Sequence, residues 1–143
     1  MPIKTKTAKR VLLDAKFALE KFKDEPIDYE FRHLVFLSMA LLRTVGFAIE
    51  SDNDGEDRIK ANKYYETTIK KDILFDSFIK DYRDNLIHAY KAKIGWASIT
   101  DINKNNSMSY ELLEGSYIGR DIREMIQLAI EFWEFHLNAM ENI

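Results

Sequence analysis

Apolar residues recur at intervals of three and four along most of this chain, and few residues interrupt the pattern. In residues 6–23 the stripe comprises Ala8, Val11, Leu12, Ala15, Ala18, Leu19 and Phe22. This spacing places the side chains on one face of an α-helix. The 143 residues include only 5 glycines and 2 prolines, too few for the many turns of a β-sandwich or barrel. The pattern therefore predicts a predominantly all-α fold.

Residues that end helices divide the chain into separate elements. We predict helices over residues 6–23, 27–50, 56–93 and 119–141, with stops at Asp24-Glu25-Pro26 and at the turn sequence 51–55. The stretch from 56 to 93 is longer than most helices. We therefore expect a kink or break in it, near Lys71-Asp72 or close to residues 83–90.

After Gly95 the spacing of apolar residues changes to one that is typical of strands. Residues 96–102 and 107–112 flank the polar segment 103–106, which predicts a β-hairpin inserted before the last helix. The sequence as a whole predicts an antiparallel helical bundle of four to five helices with this small hairpin. We expect a single domain over residues 1–143.

The composition of the chain indicates its cellular compartment. It has no cysteine, which excludes a disulfide framework and thiolate metal sites. No secretory signal is visible at the N-terminus, and the most apolar run, residues 34–49, is interrupted by Arg43 and short for a membrane span. We therefore expect a cytoplasmic protein with no membrane partner, in which that run is a buried helix.

The net charge of −3 does not indicate nucleic-acid binding, so any such binding must depend on a local basic patch. The candidate patch comprises Lys80, Arg83, Lys91 and Lys93, with Lys60, Lys63, Lys70 and Lys71 upstream. The alternative is that these side chains form an ordinary solvated helix face.

Two of the three histidines give little indication of chemistry. His33 lies in Glu30-x-x-His33, half of the carboxylate–histidine pattern of di-iron bundles, but the chain has no second copy. We therefore predict no metal site. His136, on the last predicted helix, is expected at an interface or at the edge of the core.

The segment Ser77-x-x-Lys80 matches a motif of acylating enzymes, but the chain lacks the companion motifs of those enzymes.

The third histidine lies in the segment Arg83-Asp84-Asn85-Leu86-Ile87-His88-Ala89-Tyr90. An arginine is permanently charged and its forked guanidinium matches phosphate, while a histidine transfers protons near neutral pH. Asp84 is four residues before His88, so on a helix its carboxylate could orient the imidazole. Together the cation and the proton-transfer group suit cleavage of a phosphodiester.

The spacing of the two main residues creates a geometric difficulty. Arg83 is five residues before His88, which places them about 140° apart around a regular helix. They would not converge on one ligand if the helix were straight. Either the backbone bends there, or a second copy of the chain completes the site.

Arg83-Asp84-x-x-x-His88-x-Tyr90, late in a helical chain of this size, resembles the HEPN superfamily. The motif of that family is an arginine, four to six residues and a histidine, commonly with a polar residue after the arginine. The His88-x-Tyr90 extension resembles the toxin branch paired with minimal nucleotidyltransferase antitoxins. The match in helix order and motif position spans most of the chain, and the hairpin is a departure from the plainest family pattern.

The resemblance implies a metal-independent endoribonuclease without a cofactor, acting as a homodimer in a toxin or defence system. Two motifs would face each other across the dimer axis, and the RNA 2′-OH would attack its own phosphate. Arg83 and His88 would be catalytic, and Asn85 would contact phosphate or sugar. Tyr90 would position substrate or be a modification site that switches the toxin off. RNA and a nucleotidyltransferase-type antitoxin would be the partners.

Two other interpretations stay open. One is a catalytically silent HEPN-like domain that serves as an interaction or nucleotide-binding module. The other is a helical dimer without a ligand, in which Arg83 pairs with Asp84 or with Asp81 of a neighbour. Incubation with a mixed RNA pool in the presence of EDTA would separate these interpretations from the ribonuclease.

Overall fold

Helices make up most of the chain, as the sequence predicts. The structure, a computed structural model, describes residues 2–89, 94–100, 106–113 and 115–143. Its α-helices are α1 (Lys6–Lys21), α2 (Asp28–Asp52), α3 (Gly55–Tyr64), α4 (Asp81–Ala89) and α5 (Ile122–Glu141). A single turn of 3₁₀-helix, Phe22–Asp24, ends α1. The predicted antiparallel helical bundle with one hairpin before its last helix is confirmed.

The long helical stretch after residue 55 is broken, as predicted near Lys71-Asp72. The end of α3 widens into a π-helix, Tyr65–Ile69, and a second π-helix, Phe75–Lys80, leads into α4. Between them the Asp72 carboxylate accepts a hydrogen bond from the Leu74 backbone N–H at 2.8 Å, which begins the next helix. π-Helical turns are rare and often occur near functional sites.

Small side chains hold the first two helices close together. α1 packs along α2 through a buried face that includes Ala8, Ala15 and Ala18, each no more than 2% exposed. The apolar face of α5 completes the core, with Trp133 at its centre. The Trp133 indole N–H donates to the Leu42 carbonyl of α2 at 2.8 Å, so its one polar atom is satisfied.

The hairpin is anchored in the core and is not a surface appendage. Strand β1 (Ile94–Thr100) pairs antiparallel with β2 (Asn106–Leu112), and Ile94 lies opposite Leu112. Tyr110 on β2 is fully buried and stacks on Phe31 with ring centroids 4.9 Å apart. Its hydroxyl donates to the Pro26 carbonyl at 2.7 Å, which ties β2 to the connection between α1 and α2.

The last helix begins three residues later than the predicted position 119. Gly119 has a φ of +85°, which favours glycine and keeps the chain out of the helix there. Asp121 caps α5 by accepting from the Arg123 backbone N–H at 2.8 Å. Burial by itself would raise the pKa of Asp121, but hydrogen bonds from Arg123 and from the Tyr110 backbone hold that pKa below its ordinary value.

By length and composition, the segment Tyr29–Asp52 of α2 could cross a membrane. Core helices of helical bundles have the same composition. In this structure Val35, Met39 and Leu42 of α2 are fully buried inside the bundle. Its opposite face leaves Leu37 and Phe47 about half exposed, at 48% and 49%.

Candidate functional site

The residues of the Arg83–His88 motif lie on one short helix, α4, that follows a π-helix. Phe78 and Ile79, at most 1% exposed, anchor the π-helix in the core. Leu86, fully buried, does the same for α4. The backbone of α4 is α-helical from Asp81 to Ala89, so the predicted bend within the motif is absent from this segment.

Arg83 forms an ion pair with its neighbour in sequence. Its Nη1 lies 2.7 Å from Oδ1 of Asp84, and the two side chains are 26% and 35% exposed. Nε of Arg83 is buried and has no hydrogen-bond partner in the part of the chain that the structure describes. A partly exposed pair of this kind contributes about 0–1 kcal/mol to stability.

The other predicted site residues are placed less completely. Asn85 is exposed on α4 and available to solvent. The side chain of His88 and the whole of Tyr90 lie outside the described residues. Asp84 was predicted to orient His88, which stays a prediction, and the contact of Asp84 that the structure describes is with Arg83. The two roles are compatible, because a carboxylate has two oxygens and each accepts more than one hydrogen bond.

An aromatic pair supports the helix just before Arg83. Tyr82 stacks on Phe78 with ring centroids 5.6 Å apart, and Tyr117 meets the same ring edge-on at 6.4 Å. Burial raises the pKa of the Tyr82 phenol far above its ordinary value, so this group stays protonated. Tyr82 is one of the apolar positions of the predicted helix 56–93, and its position four residues after Phe78 is a signal for such a pair.

The predicted basic patch is only partly recognisable. Lys70 pairs with Glu66 one helical turn away, at 3.2 Å, and both side chains are more than half exposed. This pair fits the alternative of a solvated helix face. Lys91 and Lys93 lie outside the described residues. The nearest charged residue on each side of Arg83 in the sequence, Asp81 before it and Asp84 after it, is acidic.

The two other histidines have contrasting surroundings. His33 is exposed on α2, whereas His136 is 6% exposed and hydrogen-bonded through Nδ1 to the Tyr64 hydroxyl at 2.7 Å. The predicted core-edge position of His136 agrees with this. In the described ranges, no group of three or more His, Asp or Glu side chains lies close enough together to hold a metal ion.

Comparisons with protein-family models, with curated proteins and with solved structures found no match to this chain. The resemblance to the HEPN superfamily therefore depends on the residues quoted above and on the order of the helices.

Proposed function

We propose that this chain is a metal-independent endoribonuclease of the HEPN type, and that its site forms between two copies of the chain. The observation that supports this proposal is the regular helix beneath the motif. Arg83 and His88 are both on α4, which has no break between Asp81 and Ala89. Five residues of regular helix separate their directions by about 140°.

That separation argues against a site built within one chain. A guanidinium that binds a phosphate and an imidazole that moves a proton at the same phosphate must approach it together, within hydrogen-bonding distance. A two-fold axis beside α4 would bring Arg83 of one copy near His88 of the other. It would present each residue twice, because a two-fold interface uses the same surface on both subunits.

The proposed reaction begins at the RNA itself. One His88 takes the proton from the 2′-OH, whose oxygen attacks the adjacent phosphorus. The bond to the 5′-oxygen breaks, and the second His88 returns a proton to that oxygen. The products are a 2′,3′-cyclic phosphate and a 5′-hydroxyl. Proton transfer of this kind typically accelerates a reaction by about 10²–10⁴-fold.

Arg83 would stabilise the negative charge that develops on the phosphate. Its pairing with Asp84 suits this role in one respect: the ion pair holds the guanidinium in a fixed direction before substrate arrives. Asn85 is exposed and would contact phosphate or sugar. The resemblance to the HEPN superfamily implies that Tyr90 positions the substrate or is a modification site.

The outer face of α2 offers a surface for the second copy. Leu37 and Phe47 are 48% and 49% exposed, and both point away from the buried face of α2. In the proposed dimer, a second copy packed on this face would remove these side chains from water. In a toxin–antitoxin setting, the further partner would be a nucleotidyltransferase-type antitoxin in the cytoplasm.

The ion pair also favours a second candidate function. Asp84 pairs with Nη1 of Arg83, and a carboxylate beside the guanidinium opposes the binding of a phosphate there, as a catalytically silent domain would allow. In that case the chain is an interaction or nucleotide-binding module, or a helical dimer in which Arg83 serves only structure.

A cleavage assay with matched variants separates the two functions. The purified chain is incubated with a mixed RNA pool in EDTA, and Arg83→Ala and His88→Ala are tested beside it. We expect cleavage by the parent and loss of cleavage in both variants, with folding checked by circular dichroism. Arg10→Ala and His33→Ala, which change exposed residues of the same types, should cleave like the parent. Cleavage by either motif variant at the parent rate would contradict the proposed mechanism.

A further inference from the structure

A cavity of about 140 Å³ lies between α2, α3 and α5, away from the Arg83–His88 motif. Its walls include the side chains of Arg43, Phe47, Asn62, Tyr65 and Trp133. The cavity thus combines one cation, two neutral polar groups and aromatic faces. This is the usual composition of a small-molecule site, in which apolar walls surround a few polar groups that fix orientation.

Arg43 is the most unusual of these residues. Its guanidinium lies over two aromatic rings, with Cζ 4.4 Å from the centroid of Phe47 and 5.3 Å from that of Phe75. The side chain is partly buried, and no described carboxylate forms an ion pair with it. The ring faces provide no hydrogen-bond acceptor in the plane of the guanidinium, so an anion that enters the cavity would form charge-assisted hydrogen bonds that the two rings do not supply.

A glycine keeps the space beside this guanidinium open. A Cβ atom at Gly46 would lie 3.5 Å from Nη1 of Arg43 and 3.5 Å from the Trp133 ring. Any side chain there would fill the gap between the cation and the indole. The absence of a side chain leaves room in which a planar group could contact both.

Two further groups could donate hydrogen bonds to the same ligand. Tyr65, which is partly buried, contributes a hydroxyl to the cavity lining, and Asn62, which is exposed, contributes a side-chain amide. Glu50 also lines the cavity and carries the opposite charge to Arg43. This carboxylate repels any anionic ligand, and it repels a phosphate dianion more strongly than a ligand with a single negative charge.

We propose that this cavity binds a planar, single-ring carboxylate, with its ring against Trp133 and its carboxylate on Arg43. The forked guanidinium matches the two oxygens of a carboxylate. The size also agrees, because an apolar cavity of about 150 Å³ holds one benzene molecule. The site is separate from the Arg83–His88 motif, and the inference does not rest on the ribonuclease proposal.

The first test is a titration with benzoate, followed through the indole N–H signal of Trp133 in an NMR spectrum. The signal is assigned with a Trp96→Phe variant, since the chain has two tryptophans. Benzoate should shift the signal saturably. Benzamide, which has the ring without the charge, and acetate, which has the charge without the ring, should each bind about tenfold more weakly or worse. No saturable shift with benzoate overturns the proposal.

Three variants test whether benzoate binds in this cavity. Arg43→Gln should weaken benzoate binding by about tenfold or more, because it removes a charge-assisted pair. Arg32→Gln is the matched control and should bind like the parent, because Arg32 is on the same helix and also stacks on an aromatic ring, Tyr29, at 4.8 Å. Gly46→Ala should weaken binding by about tenfold, since one methyl group in a fitted site has an effect of that size.

The glycine variant also distinguishes a filled cavity from a damaged fold. The new methyl group meets Arg43 and Trp133 at ordinary contact distances, and alanine favours a helix over glycine by about 1 kcal/mol. Gly46→Ala should therefore be at least as stable as the parent while it binds benzoate less well. Parent-like affinity in both Arg43→Gln and Gly46→Ala would show that benzoate binds elsewhere and would overturn the assignment.

Discussion

The hydroxyl of Tyr64 at the end of α3 lies 2.7 Å from Nδ1 of His136 on α5. This hydrogen bond joins two helices that are distant in sequence, and Phe132 packs against the same imidazole at a centroid distance of 4.4 Å. Burial lowers the pKa of His136, and the negative charge of Asp72 opposes that effect only in part. The folded protein thus favours the neutral imidazole.

We predict that His136 makes the protein less stable in mild acid. A histidine whose pKa is lowered by folding contributes stability above its unfolded pKa, near 6.5, and loses it as the pH falls. The free energy of unfolding, measured by urea denaturation between pH 8 and pH 5, should therefore decrease toward acid. The part due to His136 has a slope of at most about 1.4 kcal/mol per pH unit.

Two variants isolate that contribution. His136→Gln should be less stable than the parent at pH 8 but should have a flatter pH profile between pH 7 and pH 5. His33→Gln changes an exposed histidine and should retain the parent profile. If the profile of His136→Gln matches that of the parent, another group is responsible for the acid sensitivity.

Tyr110→Phe should destabilise the fold by about 1–3 kcal/mol. The ring would still pack against Phe31, but the buried Pro26 carbonyl would lose the hydroxyl that donates to it at 2.7 Å. A buried acceptor left without a partner has a cost of this size. Tyr29→Phe removes the hydroxyl of a tyrosine that is 67% exposed and should change the free energy of unfolding by less than about 0.5 kcal/mol.

Ser38→Ala should stabilise the protein by about 0.5–1 kcal/mol. The Ser38 hydroxyl is fully buried in α2 and has no hydrogen-bond partner within the described ranges. Removing it ends a desolvation cost, and alanine is also the better helix former. Thermal or urea unfolding measures the change. A loss of stability would mean that the hydroxyl has a partner after all.

The helices were predictable from the sequence because their signals are local. The stripe from Ala8 to Phe22 depends on spacing alone, and Asp72 has the side chain that a helix start requires. The anchoring of the hairpin was not predictable in this way. Tyr110 reaches the carbonyl of Pro26, 84 residues earlier, and no local pattern encodes a contact of that range.

The candidate site shows the same division between local and long-range information. The sequence gives the composition of the motif and its position on a helix. It does not give the ion pair between Arg83 and Asp84, because adjacent residues do not face each other on a helix and only the side-chain rotamers bring these two together. The cavity beside Arg43 was also missed, because three separate helices form it.

A mixing experiment tests whether the proposed ribonuclease site needs two chains. Light scattering at micromolar concentration should first give about twice 16.8 kDa. Parent and Arg83→Ala chains are then refolded together in equal amounts. If a full site requires both copies of Arg83, only about a quarter of the dimers are intact. Activity should then fall below half of that of the parent alone.

The control for this experiment mixes the parent with Arg10→Ala, which changes an exposed arginine of α1. That mixture should retain the full parent activity. Activity of one half in the Arg83→Ala mixture would mean that each cleavage site uses only one Arg83, and it would contradict a site that needs both copies of this residue. A monomer in light scattering would likewise contradict the two-chain site.

Cleavage should depend on the 2′-hydroxyl of the substrate and not on a metal ion. The proposed nucleophile is the 2′-OH, which DNA lacks, so a DNA strand of the same sequence should not be cut. An RNA with 2′-O-methyl at the cleaved position should also resist, while the same modification one nucleotide away should not protect. Mass spectrometry of the products should find a 2′,3′-cyclic phosphate, or its hydrolysed form, and a 5′-hydroxyl. Equal cutting of the methylated RNA, or activity that EDTA abolishes and Mg²⁺ restores, would show that the nucleophile is not the 2′-OH and would overturn the reaction proposed for His88.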